Sequence, residues 1–211
     1  MGSILFSVES LSRSEKDMLD FRKLWDEALT FDAFVAACKA EFCGLWQGVY
    51  NLARVPDWAL AAVSPGTQRK LLVIAEDWCG DASNTVPIIA RFAAQAPGLE
   101  VRVIMRDKHP EVMDQYLTNG SRSIPVVIVL DESFEEIGHW GPRPTELQAW
   151  VMANRATMPK TELYPLVRKW YARDRGETTI REVLEKAGLL GIGAAGQEKP
   201  APSTIAPLPS P

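Results

Sequence analysis

Short apolar runs separated by amphipathic stretches fill residues 66–155 and predict alternating strands and helices. The run over 71–75 is continuous and contains β-branched residues, which is typical of a strand covered on both faces. The same patterns predict strands over 99–105, 126–130 and 134–140, and helices over 81–95, 110–118 and 144–154. The early crossovers indicate parallel pairing, whereas the last two strands, joined by a turn at 131–133, indicate an antiparallel hairpin. The predicted fold class is therefore α/β, with a mixed central sheet flanked by helices.

Helical periodicity dominates the segments on either side of this region. From Thr30, apolar positions recur every three or four residues, with a break expected near Gly44, and a second helix is expected to open at Pro56. Residues 159–190 predict two more helices, the second with Thr179 and Glu182 at capping-box spacing. We expect five parts: an arm at 1–13, a helical extension at 14–65 packed on the core domain, the α/β domain at 66–155, a helical extension at 156–190 and a disordered Pro/Ala/Gly-rich tail at 191–211.

Composition and charge argue against several classes of function. The chain is 46% apolar and 24% charged, as in ordinary globular proteins, and its net charge is −4 with both signs interspersed. No basic cluster is dense enough to predict a nucleic-acid partner, and no apolar run is long enough to predict a membrane span. The start lacks the basic leader of a secretory signal, and three cysteines are too few for a disulfide framework. We therefore expect a cytoplasmic protein, and the oligomeric state is left open.

Cys79 is the best candidate for chemistry in the sequence. It falls between a covered strand and a helix N-terminus, where free N–H groups and the helix dipole favour a thiolate. Trp78 would shield one side of the sulfur, and Gly80 would let the backbone approach closely. Asp81 opposes a second negative charge and should raise the pKa of the thiol, with Glu76 and Asp77 acting more weakly. The alternative is that Cys79 is merely a small buried residue, as most free cysteines are.

The other two cysteines are weaker candidates. Cys38 lies on the apolar stripe and is predicted to be a core residue, and Cys43 would fall about 140° around a continuous helix from it. The two therefore should not share a face. His109 and His139 lie in unrelated segments, so no tight ligand pair predicts a metal site.

Four motifs in order resemble the thioredoxin-like family: WCGDA at 78–82, Pro87 in the following helix, SIPVV at 123–127 and EIGHWG at 136–141. Thioredoxins carry WCGPC on the same strand-to-helix turn. The resemblance implies a thioredoxin-like fold over 66–155. It also implies a cis Ile124–Pro125 bond facing Cys79, with the Ile124 backbone offering hydrogen bonds to a bound peptide or thiol.

The sequence departs from the family pattern at three positions. Ala82 replaces the second cysteine, Asp81 replaces the proline of WCGPC, and Val73 stands where thioredoxins place a buried acid. A two-sulfur cycle at this site is excluded, because position 82 has no thiol to release a mixed disulfide.

Two main hypotheses follow for function. In the first, Cys79 is the catalytic residue of a single-cysteine thiol–disulfide oxidoreductase that acts on a protein or small-molecule disulfide. Trp78, Gly80, Ile124 and Pro125 bind the substrate, and an external low-molecular-weight thiol such as glutathione resolves the adduct without any other cofactor or metal. This hypothesis predicts a Cys79 pKa below the free-thiol value of about 8.5.

In the second hypothesis, the chain is a non-catalytic thioredoxin-fold module that binds a partner protein, and Cys79 is vestigial or a redox switch. A peroxidase is a third alternative, but it needs a cysteine of low pKa aided by an arginine. No arginine lies near Cys79 in the sequence.

Overall fold

A mixed five-stranded sheet forms the centre of the protein in a computed structural model, which describes residues 19–190. Its strands are β1 Leu29–Thr30, β2 Arg69–Ala75, β3 Leu99–Met105, β4 Val126–Leu130 and β5 Glu136–Trp140. The spatial order is β1-β3-β2-β4-β5, with β2 and β3 parallel and every other pair antiparallel. The predicted arm at 1–13, residues 14–18 of the first extension and the predicted tail at 191–211 lie outside the described residues.

The two central strands are covered on both faces. Every residue of β4 is buried, and so are the last five residues of β2. Since successive side chains of a strand point to opposite faces, helices must cover the sheet on both sides. This confirms the predicted α/β class with a mixed central sheet.

Nine α-helices are described in residues 19–190: α1 Phe21–Glu27, α2 Phe31–Ala37, α3 Ala40–Leu52, α4 Asp57–Ala61, α5 Gly80–Ala93, α6 Pro110–Met113, α7 Thr145–Asn154, α8 Lys160–Asp174 and α9 Glu177–Lys186. A 3-10 helix at Arg106–Lys108 precedes α6. Helices α3 and α9 pack against α5, and α7 packs against α8 around a small apolar core of their own. Within residues 19–190, none of the helices combines the length and the apolar character that a membrane span needs.

The N-terminal extension is less continuous than predicted. The helical stripe breaks at Cys38 and Lys39, which are both extended, whereas Gly44 lies inside α3. A tertiary hydrogen bond favours this break, since the Lys39 N–H donates to the Asp77 carboxylate at 2.9 Å. Strand β1 was not predicted, because two residues are too short to show an alternating pattern.

Two predicted helix boundaries are wrong. Helix α6 ends at Met113 rather than at residue 118, and the chain then turns at Asn119 and Gly120, which both have positive φ. The capping box is also absent, because α9 begins after Gly176 and Thr179 lies inside the helix. Gly176 has φ +84°, and a Cβ added there would come within 2.5 Å of an Ile88 methyl group of α5. Close approach of the α8–α9 turn to α5 therefore sets the start of α9.

Candidate functional site

Cys79 is the N-cap residue of α5, a helix of 14 residues that follows the buried strand β2. Its sulfur accepts a hydrogen bond from the Ala82 N–H at 3.5 Å, and its thiol donates to the Ile124 carbonyl oxygen at 3.4 Å. The side chain is 8% exposed. The thiol thus lies at the positive end of the helix dipole and faces the segment that leads into β4.

A cavity of about 460 Å³ opens beside this sulfur. Trp78, Cys79, Gly80 and Asp81 line one part of it, and Ile124 lines another. The sequence-predicted residues therefore meet at one cavity, with the exception of Pro125, which is buried and does not line it. The cavity also contains four arginines, at positions 106, 122, 143 and 168.

The segment around Ile124 is held by a close backbone approach. The Ile124–Pro125 peptide bond is cis, and so is Gly141–Pro142. Gly141 has φ +134°, and a Cβ added there would come within 2.2 Å of the Pro125 carbonyl oxygen. Only glycine fits this position, since both its conformation and its surroundings exclude a side chain.

The family of the chain is shown by a match to a family model. A family model described as thioredoxin matches residues 28–159, which is more than half of the chain. The chain belongs to the thioredoxin family. The match begins before residue 66, within the segment predicted as a helical extension, and it includes β1.

Two solved structures are similar to this thioredoxin-family chain, whereas no curated protein matches it. One is a protein of unknown function from Pseudomonas aeruginosa, with 23% identity and a TM-score of 0.67 over 81% of this chain and 98% of that one. The other is an HIV epitope scaffold, with 20% identity and a TM-score of 0.65 over 82% of this chain and 100% of that one. At these identities the likeness shows the fold alone.

The electrostatics of Cys79 differ from the low pKa that the single-cysteine hypothesis predicts. Burial raises the pKa of the Cys79 thiol, and the charge of Asp81 raises it further. The Ala82 and Asp81 N–H groups and the Arg143 guanidinium lower this pKa but do not outweigh burial. The expectation of a pKa below that of a free thiol is therefore wrong. Protonated Cys79 is the main form at neutral pH.

Asp81 is the centre of an ion-pair and hydrogen-bond cluster. Arg143 donates from Nε to Asp81 Oδ1 at 2.9 Å and from Nη2 to Oδ2, and the Tyr171 hydroxyl donates to Oδ1 at 2.9 Å. Burial and the nearby Asp81 charge raise the pKa of Tyr171, so this hydroxyl remains a donor. The cluster ties α8 to the first turn of α5, beside Cys79.

Sequence reasoning missed the arginine and the tyrosine of this cluster. Arg143 lies 62 residues from Asp81 and Tyr171 lies 90 residues from it, so no local spacing could reveal either contact. A peroxidase was the weakest alternative from sequence, because no arginine lies near Cys79 along the chain. The fold brings Arg143 to the same cavity, although its guanidinium is already paired with Asp81.

Trp78 lines the cavity beside Cys79, as its predicted role requires, whereas Gly80 does not have the close backbone contact that was expected. Trp78 is 44% exposed at the cavity, and the Arg106 guanidinium carbon lies 4.9 Å from the centre of its ring. A Cβ added to Gly80 would meet no atom within 4 Å, so a close backbone approach does not require glycine here. The absent side chain instead leaves space open next to Cys79.

The acidic residues before Trp78 have structural partners. The Glu76 carboxylate accepts from the Asp107 N–H at 2.9 Å, and the Asp77 carboxylate accepts from the Lys39 N–H. The Asp77 carbonyl oxygen also accepts from the Trp46 indole at 2.8 Å. These contacts hold the turn that carries Trp78, which accounts for two buried carboxylates so close to the site.

Cys38 and Cys43 lie closer together than the helical period predicts. Cys38 is buried in the core, as predicted, but the Cys43 thiol donates to the Cys38 carbonyl oxygen at 3.0 Å. The helix break at Lys39 accounts for this contact, because the 140° separation assumed a continuous helix. Burial first, and then Asp77 and Cys43, raise the pKa of Cys38 to about 11.

Proposed function

We propose that the chain is a monothiol thiol–disulfide oxidoreductase in which Cys79 forms a mixed disulfide that an external thiol resolves. One observation carries the proposal. The Cys79 sulfur lies at the N-terminus of α5, at the wall of a cavity of about 460 Å³ and opposite the Ile124 carbonyl. A thiol held at a helix N-terminus beside a cavity has both electrostatic support and room for a second sulfur.

The proposed cycle has two exchanges. The Cys79 thiol first loses its proton to solvent, and the thiolate attacks one sulfur of a disulfide on the partner. A Cys79–partner mixed disulfide forms, and the other sulfur leaves as a thiolate that takes up a proton. The thiolate of glutathione then attacks the partner's sulfur in the adduct, which releases Cys79 and leaves the partner's sulfur in a disulfide with glutathione.

The surrounding residues supply binding and tune the thiol. Trp78 and Ile124 would contact the bound chain, with Pro125 supporting Ile124 and the open space at Gly80 admitting the incoming sulfur. Burial, with the charge of Asp81 adding to it, would keep the pKa of Cys79 high, so exchange should be slow at neutral pH and faster in alkali. We place the reaction in the cytoplasm, where glutathione keeps thiols reduced.

A second candidate function is a non-catalytic binding module. The features of Cys79 that disfavour reaction support this alternative. Cys79 is 8% exposed, burial raises its pKa, and Ala82 offers no second sulfur. Under this alternative the cavity would recruit a partner, and Cys79 would be vestigial or a redox switch.

Reaction with glutathione disulfide separates the two candidates. Intact-mass and peptide-mapping mass spectrometry should find one glutathione on Cys79, and added glutathione should remove it. A Cys79→Ser variant should gain none, and insulin reduction should stay near background because a resolving cysteine is missing. An adduct confined to Cys38 or Cys43, or no adduct at all, would contradict the exchange function. Retained partner capture by Cys79→Ser would then support the binding module.

A further inference from the structure

A second cavity of about 300 Å³ adjoins the one beside Cys79. Ser123, Arg143 and Tyr164 line both, so the two cavities are adjacent, and we call them together the extended groove. The second cavity is built mainly from α7, α8 and the turn between them. The C-terminal helices therefore lengthen the site well beyond the space that one exchanging sulfur needs.

The extended groove is strongly basic, although the whole chain carries a net charge of −4. Six basic residues line it and Asp81 is its one acid, which gives the lining a formal charge of +5. The basic residues are Arg106, Arg122, Arg143, Arg155, Lys160 and Arg168. A groove of one sign concentrates ligands of the opposite sign.

Half of these cations have acidic partners and half do not. Arg106 pairs with Asp107, Arg122 with Asp114 and Arg143 with Asp81. Over residues 19–190, no ion pair is formed by the other three, which are all exposed. These three are Arg155, Lys160 and Arg168.

Two of the unpaired cations lie in the second cavity, next to apolar surface. Arg155 and Lys160 line this cavity, and Arg155 Nη1 donates to the Met152 sulfur at 3.5 Å. Met152 is 37% exposed and Tyr164 is 44% exposed in the same groove. Cations beside exposed apolar side chains suit a peptide with both carboxylates and carbon-rich surface.

We propose that the extended groove binds an acidic peptide segment, with its cysteine sulfur at Cys79 and its carboxylates at Arg155, Lys160 and Arg168. The proposal rests on the proposed function for the exchange step, whereas binding of the segment does not depend on it. It commits to a protein substrate rather than to a small thiol, because glutathione would not need the second cavity.

Equilibrium binding tests the groove without any chemistry. Three labelled peptides would each have serine in place of the reacting cysteine. On either side of this serine, one peptide would carry glutamates, the second glutamines and the third lysines. Fluorescence anisotropy would measure the affinity of each peptide. The glutamate peptide should bind at least about tenfold more tightly than the glutamine peptide at low salt, with the difference shrinking as salt screens the charges. Equal binding of the three peptides would overturn the inference.

Matched double variants locate the effect. Arg155→Gln with Lys160→Gln should bring the glutamate peptide close to the affinity of the glutamine peptide. Lys169→Gln with Arg173→Gln removes the same charge from exposed positions of α8 outside the groove, and should leave most of the preference intact. Equal losses in the two variants would indicate a general charge effect and would overturn the inference.

Exchange with cysteine peptides activated as 2-pyridyl disulfides tests the chemistry separately. The Cys79 thiolate attacks the peptide sulfur, a Cys79–peptide disulfide forms, and pyridine-2-thiolate leaves and is protonated to the absorbing thione. Peptide binding without thione release would support the groove and reject the proposed exchange. Thione release with no preference for glutamates would support the proposed exchange and reject the groove. The same assay with glutathionyl pyridyl disulfide tests a small thiol as substrate. If the Arg155→Gln, Lys160→Gln variant slowed thione release equally with this compound and with the glutamate peptide, the choice of a peptide substrate would be overturned.

Discussion

Cys79 and Cys38 are buried to nearly the same extent, 8% and 9% exposed, yet they lie at opposite ends of helices. Cys79 is the N-cap of α5, where backbone N–H groups point toward the sulfur, whereas Cys38 is the C-cap of α2. The first position favours a negative charge and the second opposes one. Burial therefore does not decide which thiol reacts.

The neighbours of the two thiols strengthen this contrast. At Cys79 burial and the Asp81 charge raise the pKa, but the Ala82 N–H and Arg143 lower it, whereas at Cys38 Asp77 and Cys43 only add to the effect of burial. Only Cys79 lines the cavity beside Ile124. An adjoining cavity and the local electrostatic field, rather than the exposed area, therefore distinguish a candidate catalytic thiol from a core thiol in this fold.

The largest expected effect is on stability, and it comes from a substitution at Gly141, which packs against the segment facing Cys79. Gly141→Ala forces a side chain into a positive-φ position and into the Pro125 carbonyl, which should cost about 3 kcal/mol of unfolding free energy. Urea denaturation measures it. Gly80→Ala is the matched control, since its Cβ meets open space, and it should change stability by less than about 1 kcal/mol. Similar losses in both variants would contradict the packing described around Pro125.

Alkylation compares the two thiols directly. With iodoacetamide at about pH 7.5, Cys79 should react at least about tenfold faster than Cys38, because a thiol with a pKa of about 11 holds very little thiolate there. Mass spectrometry of the two peptides gives both rates in one sample. Cys38→Ser should leave the Cys79 rate unchanged within about twofold. Faster alkylation of Cys38 than of Cys79 would contradict the proposed difference between the two thiols.

A smaller effect should come from the charges beside Cys79. Asp81→Asn removes a charge that raises the pKa of Cys79 and should speed alkylation by about threefold, whereas Arg143→Gln should slow it by a similar factor. Tyr171→Phe removes one hydrogen bond to Asp81 without changing any charge, so it reports on the tether of α8 alone. Changes of the same sign in Asp81→Asn and Arg143→Gln would show that loss of structure, rather than charge, governs the rate.

The parts of the protein that sequence could predict are those with local patterns. The apolar run of Leu71–Ala75 predicted a covered strand because both of its faces had to be apolar, and the strand-to-helix turn identified Cys79. The pairing of Asp81 with Arg143 had no local pattern, and neither had the cations that α8 brings to the groove. The raising effect of Asp81 on the pKa of Cys79 was predicted from the sequence, whereas the larger effect of burial was missed because burial depends on the whole fold.

The pH dependence of adduct formation at Cys79 with glutathione disulfide tests the central claim most directly. Since burial raises the pKa of Cys79, the thiolate fraction should grow about tenfold for each pH unit across the neutral range. We therefore expect the rate, followed by mass spectrometry from about pH 6 to about pH 10, to keep rising into alkali. A rate that is already constant at about pH 7 would mean a depressed thiol pKa, and no Cys79 adduct at any pH would mean a non-reactive scaffold. Either result would contradict a slow, buried, but reactive Cys79.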